Sequence, residues 1–242
     1  MGIEYHMDLI QNTDEWLRIK LGVISASNFG LLVTEKTMKT ANNDKVRTLI
    51  YQLACERITK EIGDNYQSWD MMRGHKEEVL AKDMYSKHYR QVKDCGFITN
   101  DNLGFTIGMS PDGLVGEDGG IEAKSRAGKY QVKTIIEGVT PSEYMAQVQG
   151  FFLVTERKWC DFISYSNGMH MFVKTEEPNL EWQVALKEAV TDAEKKIVEM
   201  VEEYKSKVED LHQAPWIDVM SEESGVVKSS SNIDPADYLM AG

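Results

Sequence analysis

The chain has 242 residues, 42% of them hydrophobic and 9% aromatic, which is enough to bury an ordinary core within one large domain. No stretch approaches the roughly 18 uncharged apolar residues of a membrane helix, and the N-terminus lacks the order of a signal peptide, so we expect a cytoplasmic protein without a membrane partner. The formal net charge of -12 disfavours a nucleic-acid partner, unless part of the acidic excess holds metal ions.

Cysteines and histidines form no recognisable metal or redox pattern. Cys55, Cys95 and Cys160 are widely spaced without a CxxC pair, and we interpret them as reduced packing residues. The phosphate-binding pattern GxxxxGK[ST] is absent, so no nucleotide cofactor is expected.

Two short helices are predicted near the N-terminus. Asn12 followed by Glu15 predicts a capping box that opens a helix ending at Lys20. Either Ser25 or Ser27 is expected to cap the second helix.

Longer helical patterns follow. Apolar residues at helical spacing predict a helix over Asn43–Ile62 with Gly63 as its C-terminal stop. Another helix is predicted after Gly74, and it carries Glu78. Its expected apolar face consists of Val79, Leu80, Met84 and Tyr85.

The middle of the chain changes to short apolar runs separated by Gly, Asn and Asp, which predicts a meander of strands. These runs are 96–99, 104–109, 113–115 and 120–125. Thr140, followed by Pro141 and Glu143, predicts the start of a helix that reaches Thr155 and holds Gln147 in its second turn.

The remaining elements are a hairpin and a long helix. Asn167-Gly168 between residues 159–166 and 169–174 predicts a type I′ hairpin. Asn179 is expected to cap a long amphipathic helix. We expect a folded domain over residues 1–216, followed by a flexible acidic, Ser-rich tail over 217–242.

Two acidic residues and a lysine in the strand region are the candidate catalytic group. Ser110-Pro111-Asp112-Gly113 is followed by Glu122-Ala123-Lys124, and alternation along a strand directs Glu122 and Lys124 to the same side. A hairpin turn over 116–120 would place Asp112 beside them.

This set suits phosphodiester hydrolysis, because carboxylates hold Mg²⁺ and the metal lowers the pKa of a bound water. Lys124 has two possible tasks, which are to position and deprotonate the attacking water or to stabilise charge on the phosphorus. The alternative is that these are ordinary charged residues on the polar face of a half-exposed strand.

Five motifs in the same order resemble those of the phage lambda exonuclease family, also called YqaJ-type viral recombinases, within the PD-(D/E)xK nuclease superfamily. The similar segments are WLRIKLGVISAS at 16–27, GHKEEVLA at 74–81, MSPDGL at 109–114, IEAK at 121–124 and YMAQVQ at 144–149.

The resemblance implies a role for each matching residue. Asp112 and Glu122 would be metal ligands, Glu78 a further carboxylate at the metal, and Lys124 the catalytic lysine. Gln147 would orient the lysine or the nucleophilic water.

The resemblance also implies a pocket for the 5′-phosphate of the substrate end. Ser27 and Ser110 match the serines of that pocket, although a helix cap and a turn residue are the simpler roles. The family's usual arginine is replaced by Lys20, which binds phosphate as a point charge without the bidentate fork.

From this resemblance we expect an α/β, restriction-endonuclease-like core with a central mixed sheet flanked by helices and a long C-terminal helix. The expected activity is Mg²⁺-dependent degradation of linear double-stranded DNA from 5′ ends, with Mn²⁺ able to substitute. A homotrimeric ring and a single-strand annealing partner are also implied, in a phage or prophage protein of a bacterial host. The alternatives are a structure-specific or restriction-type endonuclease and a non-catalytic DNA-binding protein.

Overall fold

The computed structural model describes residues 2–62, 69–210, 215–216 and 228–229. The helices in these ranges are α1 (Asp14–Lys20), α2 (Ala26–Leu32), α3 (Asp44–Thr59), α4 (Trp69–His88), α5 (Gly128–Glu137), α6 (Ser142–Thr155) and α7 (Leu180–Asp210). The strands are β1 (Ile3–His6), β2 (Ile24–Ser25), β3 (Phe97–Asn100), β4 (Ile107–Met109), β5 (Gly113–Val115), β6 (Gly119–Ser125), β7 (Trp159–Tyr165), β8 (Phe172–Glu176), β9 (Pro215–Trp216) and β10 (Lys228–Ser229).

The predicted mixed α/β fold with a long C-terminal helix is confirmed, and its strands form two mixed four-stranded sheets. The first has the order β1-β3-β4-β2, with β2 and β4 parallel. The second has the order β5-β6-β7-β8, with β6 and β7 parallel.

The predicted continuous meander is therefore wrong. Strands β3 and β4 pair in the first sheet, and β5 and β6 pair in the second. The chain passes between the sheets at Ser110-Pro111-Asp112, where Pro111 has no N–H to donate to a strand ladder.

Caps at the N-terminal helices differ in part from the prediction. Thr13, rather than Asn12, caps α1, because its side chain accepts a hydrogen bond from the N–H of Trp16. Asn12 has a φ of 68° and lies before the helix. Ser25, rather than Ser27, caps α2 in a capping box with Asn28.

Helices α3 and α4 occupy the predicted region with different limits. Helix α3 ends at Thr59, earlier than Ile62, where Lys60 adopts a left-handed conformation with a φ of 59°. The predicted stop at Gly63 lies outside the described residues. Helix α4 begins at Trp69, before Gly74.

The predicted apolar face of α4 is wrong for three of its four residues. Val79, Leu80 and Met84 are exposed, whereas Tyr85 and Ala81 are buried. The buried Tyr85 hydroxyl donates a 2.6 Å hydrogen bond to Asp161 on β7, so the side of α4 toward the sheet is polar in part.

The N-cap of α6 and the turn of the β7–β8 hairpin both differ from the prediction. Pro141 is the N-cap of α6, while Thr140 donates instead to Glu176, and the predicted end at Thr155 is confirmed. Strands β7 and β8 pair antiparallel as predicted. Only Gly168 of the turn has a positive φ, of 75°, which excludes the type I′ geometry because that turn needs two such residues.

Helix α5 lies in a segment for which the sequence predicts no element. Its N-cap, Ala127, makes no side-chain hydrogen bond, and the helix contains the β-branched residues Val132, Thr134, Ile135 and Ile136. Both features are weak helix signals.

The main core forms where α2, α6 and α7 pack together. Asn179 caps α7 as predicted by accepting from the N–H of Trp182 at 3.1 Å. The buried face of α7 includes Leu186, Val190, Ala193 and Ile197. No helix in the described ranges is both long and apolar enough to cross a membrane.

The predicted tail, residues 217–242, lies outside the described residues with one exception. Lys228–Ser229 pairs antiparallel with Pro215–Trp216.

Candidate active site

Strand β6 carries two of the predicted catalytic residues in the interior of the second sheet. It lies between β5, which is antiparallel to it, and β7, which is parallel. Glu122 is 1% exposed, and Lys124, two residues later, is half-buried. Strand alternation places both on the same side of the sheet, as predicted.

Asp112 lies in the turn before β5 and reaches the same strand. The N–H of Ala123 donates a 2.6 Å hydrogen bond to Asp112 Oδ2. Glycine at the next position leaves room for Val92, because a Cβ at Gly113 would lie 2.2 Å from Val92 Cγ1. The turn therefore directs Asp112 to the backbone between Glu122 and Lys124.

Lys124 is paired with the acidic residues in the free protein. Its Nζ lies 2.5 Å from Glu122 Oε1. Burial alone would lower the pKa of Lys124, but the charges of Glu122 and Asp112 raise it above its ordinary value. The lysine is therefore a cation at neutral pH.

Glu122 is the most strongly perturbed carboxyl group of the site. Burial and the nearby Asp112 raise its pKa to about 8, against the opposing charge of Lys124. Despite the ion pair with Lys124, neither carboxylate oxygen of Glu122 has a partner in hydrogen-bond geometry within the described ranges. Such unsatisfied buried oxygens call for a cation.

Glu78 approaches this group from α4, which packs against β6. Burial and the charge of Asp112 raise the pKa of Glu78 to about 7, while Lys82 and Lys124 oppose the rise. Lys82 Nζ lies 3.6 Å from Glu78 and 3.2 Å from Asp94. Lys82 is a member of the site that the motifs did not indicate, although its position one turn after Glu78 is a signal.

The donor set fits a hard divalent cation. Asp112 and Glu122 supply carboxylate oxygens, the ligand type that Mg²⁺ prefers, and those of Glu122 are buried with no hydrogen-bond partner among the described residues. Among the described residues, no three acidic, histidine or cysteine side chains are close enough to hold a metal by themselves. This agrees with the present bonds of Asp112 to Ala123 and of Glu78 to Lys82.

Gln147 lies on α6, whose Tyr144 ring is 5.9 Å from Lys124 Nζ. Because residues three apart share a helix face, Gln147 lies on the side of α6 that carries Tyr144. Its half-buried side chain makes no hydrogen bond within the described part of the chain. The neighbouring Gln149 is instead buried and bonded to Glu177 and Asn179.

Two residues predicted to bind a 5′-phosphate meet at the indole of Trp16. Trp16 Nε1 donates a 2.9 Å hydrogen bond to Ser110 Oγ, and Lys20 Nζ lies 3.7 Å from the centre of the same ring. Burial lowers the pKa of Lys20 to about 8, although Glu56 opposes this shift. The motifs alone indicate no role for Trp16, yet its indole contacts both Lys20 and Ser110.

The sheet topology also relates Ser27 to Ser110. Ser25 on β2 pairs in parallel with Gly108 on β4, so Ser27 and Ser110 each lie two residues beyond that pair. Both serines therefore lie just beyond the same end of the first sheet. Ser27 is exposed, and its Oγ lies 2.8 Å from Ser25 Oγ.

Comparison with known proteins identifies the family and the fold. The YqaJ-like viral recombinase domain matches residues 15–158, more than half of the chain. The alkaline exonuclease LHK-Exo from Laribacter hongkongensis superposes with a TM-score of 0.72 at 27% identity, over 82% of this chain and 100% of that one. LHK-Exo in complex with dAMP gives a TM-score of 0.71 at 26% identity, over the same shares.

A phage-related exonuclease from Haemophilus somnus 129PT shares the fold, with a TM-score of 0.55 at 12% identity over 75% of this chain and 96% of that one. No curated protein matches the sequence. The domain match and the alkaline exonuclease likeness together support a nuclease of the lambda-exonuclease type. The chain belongs to the YqaJ-like viral recombinase family.

Proposed function

We propose that this protein is a Mg²⁺-dependent exonuclease that degrades linear double-stranded DNA from 5′ ends and leaves 3′ single strands for recombination by strand annealing. The observation that carries the proposal is the convergence of Asp112, Glu122 and Lys124 around Ala123. The likeness to an alkaline exonuclease over 82% of the chain supports the same reaction class.

Asp112 and Glu122 would hold the cation, with Glu78 as a further carboxylate beside it. A bound Mg²⁺ supplies a water of lowered pKa and neutralises the scissile phosphate. The raised pKa of Lys124 keeps this lysine protonated, which favours stabilisation of phosphoryl charge over proton abstraction. Gln147 would help to orient the attacking water.

The group around Trp16 is proposed to hold the 5′-phosphate of the DNA end. Lys20 supplies a cation, while Ser27 and Ser110 supply hydroxyl donors at the same end of the first sheet. That LHK-Exo forms a complex with dAMP, a nucleoside monophosphate, supports a phosphate site in this fold. Placing the terminal phosphate would bring the scissile bond to the metal.

The assembly expected for the family belongs to the same proposal, namely a trimeric ring that works with a single-strand annealing protein in the cytoplasm of a bacterial host. Analytical ultracentrifugation of the full chain measures the first point. A trimer supports it, and a monomer at assay concentration contradicts it.

One assay tests the proposed activity. Linear duplexes labelled at either end, a nicked circle and a closed circle are incubated with Mg²⁺, Mn²⁺ or Ca²⁺. We expect mononucleotide release from 5′ ends of linear DNA with Mg²⁺ and Mn²⁺, an intact closed circle, and binding with little cleavage in Ca²⁺. Cleavage of the closed circle would instead indicate an endonuclease on the same core.

A further inference from the structure

A row of alternating cations and aromatic rings leads away from Lys124. Lys124 Nζ lies 5.9 Å and Arg126 Cζ 5.1 Å from the Tyr144 ring, while Arg126 Cζ lies 5.5 Å and Lys129 Nζ 4.9 Å from the Tyr130 ring. We call these five residues the cation–aromatic strip. Its inner ring, Tyr144, stacks on the buried Phe162, whereas Tyr130 at the outer end is 47% exposed.

Arg126 at the centre of the strip is incompletely paired. Its side chain is 5% exposed, and Nη2 donates a 2.9 Å hydrogen bond to Glu143 Oε1. Its Nη1 is buried and has no hydrogen-bond partner among the residues that the structure describes. An unsatisfied buried donor on a charged group is costly, so the site favours a ligand whose oxygens accept from both Nη1 and Nη2, whereas Glu143 accepts from Nη2 alone.

Glu143 is a partner that a ligand can replace. Its side chain is 48% exposed and lies in the first turn of α6. A carboxylate bound to a guanidinium presents the same pair of oxygens as a phosphate, which accepts from an arginine in a bidentate fork. Glu143 therefore stands where a phosphodiester oxygen would bind.

The strip follows directly from the catalytic strand. Arg126 is two residues beyond Lys124, at the carboxyl end of β6. Although the chain has a net charge of -12, the cation–aromatic strip brings three cations and two tyrosines together in a row that begins at Lys124. Cations interleaved with aromatic rings suit a nucleic-acid strand, because the cations bind phosphates and the rings stack on bases.

Building on the proposed nuclease function, we propose that the cation–aromatic strip binds the DNA strand adjoining the scissile phosphate, and that Arg126 exchanges Glu143 for a backbone phosphate when DNA binds. Glu143 then acts as a competitor for Arg126 in the free protein. Removing the charge of Arg126 should therefore weaken DNA binding, whereas removing the charge of Glu143 should strengthen it.

The test measures binding of the full chain to a fluorescent 5′-phosphorylated duplex by anisotropy, with Ca²⁺ in place of Mg²⁺ and at several salt concentrations. Arg126→Gln should raise Kd at least tenfold and reduce the slope of log Kd against log salt by about 1, as expected for one lost phosphate contact. Glu143→Gln should lower Kd several-fold. Arg126→Lys should keep the slope, because the charge remains. It should raise Kd less than Arg126→Gln does, since lysine binds phosphate but lacks the bidentate fork.

A second ion pair provides matched controls. Lys158 and Asp118 pair at 3.2 Å near the opposite end of β6, where Asp118 O also accepts from the Lys158 N–H. Lys158→Gln and Asp118→Asn make the same charge changes away from the strip. We expect either variant to change Kd less than twofold.

Three outcomes separate the possibilities, with melting curves confirming that each variant is folded. Equal weakening by Arg126→Gln and Glu143→Gln would overturn the inference, because it marks the pair as a structural link between β6 and α6. An Arg126→Gln variant indistinguishable from Lys158→Gln would overturn it as well. If the unmutated protein neither binds nor degrades linear duplex, the proposed function itself fails and takes this inference with it.

Discussion

The N–H of Ala123 holds Asp112 Oδ2 at 2.6 Å, so the carboxylate of a turn is bonded to the strand backbone between Glu122 and Lys124. We expect Asp112→Asn to keep this bond, because the amide oxygen is also an acceptor, while removing the charge that would hold a metal. Hydrolysis should fall at least about a hundredfold with little change in Tm. Near-normal turnover with an unchanged melting curve would rule out Asp112 as a ligand.

Lys124→Ala should slow hydrolysis by at least about a hundredfold, the lower range for loss of one preorganised charge. Lys124 Nζ pairs with Glu122, so its removal leaves the acidic group free to bind a cation. Single-turnover rates and Mn²⁺ binding, measured on the same preparation, separate the two effects. Loss of metal binding together with rate would contradict a role in charge stabilisation.

Lys20 predicts a pH-dependent preference for phosphorylated ends. Burial lowers its pKa to about 8, so the cation is present at pH 7 and largely lost by pH 9. The ratio of single-turnover rates on 5′-phosphate and 5′-hydroxyl duplexes, at DNA concentrations below Kd, should therefore decline several-fold over this interval.

Lys20→Arg should remove that decline, because a guanidinium stays charged at pH 9. Measuring both substrates at each pH cancels any effect of pH on the chemical step. A ratio that is constant from pH 7 to 9 in the unmutated protein would exclude Lys20 from the phosphate pocket.

Tyr85 is predicted to stabilise the position of α4 against the second sheet. Its buried hydroxyl donates to Asp161, which also accepts from Arg90 at 2.8 Å and Thr175 at 2.5 Å. Tyr85→Phe should lower the free energy of unfolding by about 1.5 to 3 kcal/mol, the range for a hydrogen bond to a charged group.

Tyr89→Phe is the matched control for that variant. Tyr89 stacks on Tyr85 with ring centres 5.2 Å apart, but it is 54% exposed, and its hydroxyl makes no hydrogen bond in the described part of the chain. Urea denaturation should show almost no change for this control. Equal losses in the two variants would place the effect in ring packing instead of the Asp161 bond.

Local signals predicted the helices well where both spacing and a cap were present. Asn179 and the apolar positions after it identify α7, and the apolar spacing of α3 is correct up to Thr59. Helix α5 was missed because its sequence has no polar N-cap and contains several β-branched residues. The buried face of α4 was mispredicted because the helix buries Tyr85, whose hydroxyl makes a polar contact, while its apolar residues Val79, Leu80 and Met84 are exposed.

The candidate site could be predicted only in part for a related reason. Asp112, Glu122 and Lys124 lie within one turn and one strand, so short spacing places them together. The contact of Trp16 with Ser110 and that of Arg126 with Glu143 depend on tertiary packing. Division of the strands into two sheets likewise depends on long-range pairing, which alternation along the chain does not determine.

The central claim is that the buried carboxylate of Glu122 on β6 helps to hold the cation required for DNA hydrolysis, and Glu122→Gln tests it most directly. Glutamine preserves the shape of a side chain that is 1% exposed and removes its charge. The measurement is the initial rate of mononucleotide release from a linear 5′-phosphorylated duplex in Mg²⁺, with melting curves for both proteins. We predict a loss of at least about a hundredfold in a folded variant, whereas a rate close to that of the unmutated protein would contradict the account.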